Sequence, residues 1–402
     1  MSTEAVSGAA TNVLAGRRIG AGMALGAVVL MMAGASAPSP FYPDLQTSLG
    51  LQPWVMTAVF AVYAVALLAT LLVLGAVSDH VGRRPVVTAG FLLLAASFAL
   101  FQGADTAAAL FEARILQGVA SGLLLSTLSA ALADFERPSR PGSAAVVNAV
   151  APMVGLAVGA VAAGVAMQVT VDARLVVFDA LVVLSLLLAA GVWLAPETAP
   201  RHEGLIASLR PRVAVPPAVR GMLARSAPAI FAGWATGGLF LSLGAAIVRT
   251  ELGATSHVLQ GLAIGALAGS GAVASYAFRN RSARATTLYG TAALAVGTVL
   301  SLLALATGSV AAYLVAVVVA GTGFGTAFFG ILRSIMPILP AHERAEVFAV
   351  IFIVSYLAFG IPAVVAGLLT PEIGLTATTY AYGVVVTVLS ATAGLLRWRS
   401  SH

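Results

Sequence analysis

Apolar runs of about 20 residues, cut by short polar breaks, recur along the whole chain. A helix crossing the ~30 Å hydrocarbon core needs about 20 apolar residues, since each adds about 1.5 Å. Twelve runs satisfy this, near 19–40, 54–76, 86–103, 109–132, 143–167, 174–195, 227–247, 258–278, 286–306, 310–333, 346–369 and 377–397. The pattern predicts an all-α membrane protein with twelve transmembrane helices. The longest polar break, 196–226, is proline-rich, carries five arginines and divides the runs six and six. The expected organisation is a tail over 1–18, six helices over 19–195, a linker over 196–226, six helices over 227–397 and a tail over 398–402. Within the linker, Leu205, Ile206 and Leu209 beside Arg210 suit either a short amphipathic helix on the membrane surface or a solvated tether.

Composition excludes a soluble domain. Hydrophobic residues make up 60% of the 402 and charged residues only 9%, against about 25% charged in soluble proteins. The net charge of +6 does not point to nucleic acid, because the arginines sit in short clusters between apolar runs and form no basic face. All 21 basic residues are arginine, and 18 of them fall on every second break. Arg114, Arg174 and Arg249 are the exceptions. The positive-inside rule then places both termini in the cytoplasm of a plasma (inner) membrane protein. Arg17 and Arg18, followed by an apolar run and Ala35-Ser36-Ala37, imitate a secretory signal, but cleavage would leave an odd number of spans, so the first helix is expected to remain. Cysteine is absent, which excludes disulfides and thiolate metal sites.

One break differs from the rest. Residues 75–87, GAVSDHVGRRPVV, gather Asp79, His80, Gly82, Arg83 and Arg84 into one turn after the second run. Gly75 removes a side chain where two helices can pack closely, and Gly82 permits the positive φ of a tight reversal. Headgroup anchoring accounts for Arg83 and Arg84 but not for the negative charge of Asp79.

The pattern G-x-x-x-D-x-x-G-R-R formed by Gly75, Asp79, Gly82, Arg83 and Arg84 resembles the signature loop of the major facilitator superfamily, in its place between spans two and three. Arg114, Gln117 and Gly118 resemble the R-x-x-Q-G element of its proton-coupled members, and Pro196-Glu197-Thr198 also recurs in relatives. The fifth run departs from the G-x-x-x-G-P-x-x-G-G of drug antiporters: Gly155, Gly159, Ala160, Ala163 and Gly164 align, with alanine for the proline and for one glycine. That departure leaves the direction of transport open. The resemblance implies the major facilitator fold, two pseudo-repeated six-helix bundles that rock about a midplane site. Sliding the chain by 200 residues agrees in part, laying Arg284 on Arg84 and Gly290 on Gly90 but Arg279 on Asp79. On this fold Asp79 would dock on the positive N-terminus of span eleven and latch the bundles, with Arg83 paired to Asp134 or Glu136.

Within the spans ionisable residues are few. Arg114 and Asp179 lie at similar depth in spans four and six, where they either pair or snorkel separately to the headgroups. Spans seven to twelve have no acidic residue in their interiors, so a proton-carrying carboxylate belongs to the first half: Asp179, Glu112 or Asp44, with exchange of Arg114 between a protonated and an ionised partner as one way to couple the proton. Asp44 follows PSPFYP, whose prolines predict an irregular exit from the first span, where a solvated carboxylate is the alternative to a proton carrier. Gln117, Trp234, Tyr276 and Tyr356 are candidates for a cavity wall, as well as for plain helix packing. A wall so poor in charge suits uncharged, amphipathic or weakly cationic solutes.

The resulting expectation is a secondary transporter that exports a small amphipathic solute by alternating access, in exchange for protons. An uptake carrier or facilitator is the alternative. A polytopic enzyme would need clustered acids and histidines, whereas His80, His202, His257, His342 and His402 are scattered. The expected partners are the lipid bilayer, a small-molecule substrate and protons, with a monomer as the functional unit and neither cofactor nor metal. Topology is directly testable: reporters placed after Ser400 or between Arg201 and Arg210 should read cytoplasmic, and one near Gly253 external. Inverted signals would overturn the span assignment.

Overall fold

The computed structural model describes residues 3–137 and 139–399, leaving aside the side chains of 3–15, 341 and 342. Residues 1, 2 and 400–402 of the two expected tails lie outside it. Among the described residues every element is a helix, as a bilayer demands when backbone N–H and C=O groups must be satisfied within each segment. In chain order these are α1 (Thr3–Ser36), α2 (Tyr42–Ser48), α3 (Pro53–Leu74), α4 (Val77–Val81), α5 (Arg83–Gly103), α6 (Ala107–Asp134) and α7 (Ser143–Val169). There follow α8 (Ala173–Gly191), α9 (Leu205–Ser208), α10 (Pro217–Ala246), α11 (His257–Ala277), α12 (Ala283–Ala306), α13 (Val310–Ile335) and α14 (Ala341–Arg399).

Eleven helices among the described residues are long and apolar enough to cross a membrane. The last of these runs from Glu343 to Arg399, 57 residues, or roughly 85 Å at the helical rise, far more than one crossing requires. It is broken at Gly374, where φ 83° and ψ 159° leave the helix. Only a residue without Cβ takes that conformation freely. The two arms of α14 pack separately: Gly360 and Gly367 face Ala61, Trp54 and Thr57 of α3, while Gly383 and Gly394 face Leu302 and Thr291 of α12.

Two helix starts differ from the hydropathy pattern. α1 is helical from Thr3, well before residue 19, and α10 begins at Pro217 rather than near 227. Proline at the first helical position is preorganised and has no N–H to satisfy, so Pro217 starts α10 inside the expected linker. Elsewhere hydroxyls mark the starts: Thr106, Ser282 and Ser309 accept from Ala109, Ala285 and Ala312 N–H at 3.2–3.3 Å. After Ser36 the chain leaves α1 through a 3₁₀ turn at Ser39–Phe41 and enters α2.

Helix pairing follows small residues. α7 lies against α1 on one face and α11 on another. A Cβ at Gly159 would collide with the Ala33 carbonyl of α1, and Ser36 Oγ beside it donates to the Leu156 carbonyl at 2.8 Å. Gly164 and Gly261 bring α7 and α11 together, a Cβ on Gly164 falling 3.1 Å from the Gly261 Cα. In hydrocarbon, apolar side chains gain little by meeting one another, so such close backbone approach supplies the dispersion contact that holds helices together.

The halves echo each other locally. α3 packs on α6 and α11 on α13; α5 packs on α6 and α8, and α12 on α13 and α14. Arg84 donates to the Ala195 carbonyl just after α8, and Arg284 donates to the Trp398 carbonyl at the end of α14, at 2.9 Å. Gly159→Val should sharply lower the unfolding midpoint in detergent or abolish monodisperse protein. Gly26→Ala, whose Cβ meets nothing within 4 Å on α1, should leave it unchanged or raise it by about 0.5–1 kcal/mol of stability.

Candidate functional site

The arginine-rich turn is a closed polar cluster built from three separated segments. Gly75 caps α3 in the right-handed helical conformation, and the nearest neighbours of an added Cβ are atoms of Leu71 in the same helix rather than of a second helix, so no close helix crossing is made there. α4 carries Asp79, and Gly82 then turns with φ 118°. Arg83 is buried, its side chain 10% exposed. Its Nη1 meets Asp79 Oδ1 at 2.5 Å and donates to Ser78 Oγ at 2.6 Å, while Nε reaches Asp134 Oδ2 at 3.3 Å. Thr198 Oγ1 donates to the same Asp134 oxygen at 2.8 Å. Of the two acids expected near Arg83, Asp134 is the one that meets it. Glu136 instead accepts from Ser143 Oγ and Ala144 N–H at 3.4 Å each, at the start of α7.

The residue that organises the cluster is Glu197. Its carboxylate accepts from the backbone N–H groups of Arg83 (2.9 Å), Arg84 (3.1 Å), Thr198 (2.9 Å) and Ala199 (3.0 Å). An anion thus caps the positive end of α5. The glycine at 82 makes room for it, since a Cβ there would lie 2.8 Å from Glu197 Oε2. Partial burial pushes the Glu197 carboxyl up, but the N–H donors of Ala199, Arg83, Arg84 and Thr198 outweigh it and hold the group below the usual carboxylate range. The chain beyond Glu197 returns to α4, His202 N–H donating to the Asp79 carbonyl at 3.0 Å and His202 O lying 2.7 Å from His80 Nδ1. Pro196-Glu197-Thr198 stood out in the sequence, but nothing local to it announces the fold-back onto α5.

Arg114 is completely buried. Nε and Nη2 donate to Tyr42 Oη, the former at 2.9 Å, and Nη1 donates to Gln117 Oε1 (2.6 Å) and the Ala35 carbonyl (3.3 Å). The rings of Tyr42, Tyr63 and Phe101 lie 5.3–5.5 Å from the guanidinium carbon. Gln117 Nε2 in turn holds the Gly34 carbonyl at 2.8 Å. The charge is met by neutral oxygens and aromatic faces rather than by a carboxylate. Placing arginine in a span costs about 2.5–3.5 kcal/mol on insertion scales, a sum that a few such contacts at about 0.5–2 kcal/mol each can offset. The pairing of Arg114 with Asp179 is not made: Asp179 is exposed and accepts from Gln102. Glu112 is exposed as well. Tyr42, Tyr63 and Phe101 were not foreseen, because nothing in an apolar run marks which aromatic residue faces an arginine on another helix.

Asp44 has a partner from the other half of the chain, an ion pair with Arg249. Nearby, Gln168 at the end of α7 accepts from Ser256 Oγ (3.2 Å) and His257 N–H (3.1 Å), capping α11. These contacts lie at the helix ends opposite the arginine-rich turn.

Among the cavity candidates, Trp234 and Tyr356 come together with ring centroids 5.0 Å apart, joined by Phe328 and Phe359 at 5.6 and 5.7 Å from Trp234. Phe60 of α3 completes the cluster, 4.7 Å from Phe359. Tyr276, expected on the cavity wall with them, instead stands apart, 54% exposed with the Arg279 guanidinium over its ring. Among the described residues no group of three or more His, Asp or Glu is placed to hold a metal ion.

Residues 24–363 match the family described as Major Facilitator Superfamily. The Multidrug resistance protein MdtL of Shewanella oneidensis is 26% identical over 121 residues, 28% of this chain and 31% of the relative. The Multidrug resistance protein MdtH of Yersinia enterocolitica is 30% identical over 144 residues, 34% of this chain and 35% of the relative. The matched stretches thus span about a third of each curated relative. The crystal structure of the human organic anion transporter MFSD10 (TETRAN) superposes with a TM-score of 0.69 at 16% identity, covering 94% of this chain and 99% of that one. At that identity the likeness speaks for the fold.

The Glu197 cap is testable by its pH dependence. A carboxyl held low by folding contributes stability above its unfolded pKa and loses it as pH falls through the folded value. Glu197→Gln should lower the unfolding midpoint by a few degrees at neutral pH, and the gap to the parent should narrow below pH 4.5, the ordinary value for this group. A gap that stays constant with pH would mean the charge of Glu197 contributes nothing.

Proposed function

The chain belongs to the major facilitator superfamily and is a multi-pass membrane transporter, and we propose that it exports a small amphipathic solute by proton-coupled alternating access. In this reading α14 forms two spans on either side of Gly374, giving twelve spans in two six-helix bundles over 19–195 and 227–397. The linker and both termini face the cytoplasm of the inner membrane, and the monomer is the working unit.

The observation that carries the proposal is the unequal treatment of the two faces. At the face opposite the arginine-rich turn, Asp44–Arg249 and Gln168–His257 tie one half of the chain to the other. At the turn itself Asp79, Arg83, Asp134 and Glu197 engage one another within the first half. That is the arrangement expected of a transporter closed on the outside with its cytoplasmic latch undone. In the opposite state Asp79 exchanges Arg83 for the start of α14, an interaction of about 0.3–2 kcal/mol, small enough to form and break in each cycle.

The ring cluster of Trp234, Tyr356, Phe328, Phe359 and Phe60 supports a flat, apolar solute, and the names of the two curated relatives support export. Arg114 is enclosed by neutral partners, so a proton carrier at Asp44, Glu112 or Asp179 acts outside that enclosure. The test is transport by purified protein in liposomes under an imposed pH gradient, with a panel of labelled amphipathic solutes. Asp79→Asn should slow turnover at least tenfold while leaving the protein folded, and the parent should accumulate solute against its gradient only when the pH gradient is present. Undiminished turnover by Asp79→Asn removes the latch, and accumulation indifferent to pH removes proton coupling.

A further inference from the structure

We propose that Asp44 and Arg249 form the outer gate of this transporter, and that the short helix α2 links that gate to Arg114. The inference rests on the alternating-access reading above and adds to it the residues that hold the outer face shut. Arg249 is one of three arginines that fall against the positive-inside pattern. A cation kept on the disfavoured side is accounted for by a local partner, and Asp44 supplies one from 205 residues away.

Local backbone geometry aims both side chains. α10 runs into a π-helical turn at Ile247–Glu251, whose i→i+5 winding takes more residues per turn and so rotates Arg249 away from the direction an α-helical continuation would give it. Asp44 lies in the first turn of α2, after the 3₁₀ segment Ser39–Phe41 that touches α7, α10 and α11. The crossing therefore joins the exit of the first span to the exit of the seventh. Gln168 on the α11 N-terminus reinforces it with neutral hydrogen bonds.

The same short helix carries Tyr42, whose hydroxyl receives two donors from Arg114. Asp44 on the gate and Tyr42 on the buried cation are two residues apart. Separation of the halves at Arg249 frees α2, and movement of α2 draws Tyr42 off the guanidinium. The gate thus controls whether Arg114 is sealed or has a donor free for an incoming group. The pair is 37% and 43% exposed, which fits a contact that holds a conformation without locking it.

Because the chain has no cysteine, one introduced cysteine reads the gate without background. Ser39 is suited to it: 2% exposed, close to cysteine in size and set between the halves at the outer face. In cells expressing Ser39→Cys, a membrane-impermeant maleimide added outside should react slowly. Adding Asp44→Asn or Arg249→Gln should raise the labelling rate about threefold, the population change an exposed ion pair sustains. The charge-swapped Asp44→Arg/Arg249→Asp variant should return it toward the Ser39→Cys rate, which a packing defect would not do. An unchanged rate in the single variants, or no recovery in the swap, overturns the gate. Labelling needs no solute, so failure of the export reading would appear separately, in the liposome assay, with these rates unaffected.

Discussion

Everything in this protein follows from the absence of water along most of its surface. A backbone polar group facing hydrocarbon has no partner outside its own segment, so the chain is helical wherever it is long and apolar. The exceptions sit at helix ends or at glycine. Gly82 and Gly374 take positive φ where the chain must change direction. The same constraint governs charge: an ionised side chain must reach the rim or find partners inside. Most of the 21 arginines take the first course and Arg114 takes the second.

Because hydrophobic attraction is weak between helices in lipid, the interfaces depend on shape and on a small number of hydrogen bonds. Gly159 and Gly164 let α7 touch α1 and α11 by backbone, which makes α7 a shared wall between the two halves. The departures from the antiporter pattern in this helix, Ala160 and Ala163, are both fully buried. They retain the smallness that the contact needs.

The polar clusters divide the work between faces. Around Glu197 the anion, the α5 N-terminus and Arg83 make one tightly hydrogen-bonded unit built from the first half of the chain. At the other face Asp44 and Arg249 join elements that belong to different halves. Between these faces lies Arg114, bound through Tyr42 to the helix that carries Asp44. A displacement of α2 at that face therefore reaches the buried cation through a single side chain, Tyr42.

Spans, breaks and the sidedness of arginine are one-dimensional properties, and the chain itself determined them: hydropathy measures only whether a segment prefers lipid to water. Hence each apolar run falls on a helix, although α1 and α10 begin earlier than their runs and the last two runs share α14, and the turn at Gly82 was legible from its glycine. What hydropathy does not carry is which face of a span meets which neighbour, since lipid-facing and helix-facing side chains are equally apolar. The partners that make the site were therefore decided by tertiary structure: Tyr42 for Arg114 at a separation of 72 residues, Glu197 for α5 at 114, and Arg249 for Asp44 at 205. Asp179 shows the same limit from the other side. Its depth matched that of Arg114, yet depth along a helix says nothing of rotation about it, and rotation turned Asp179 outward toward Gln102.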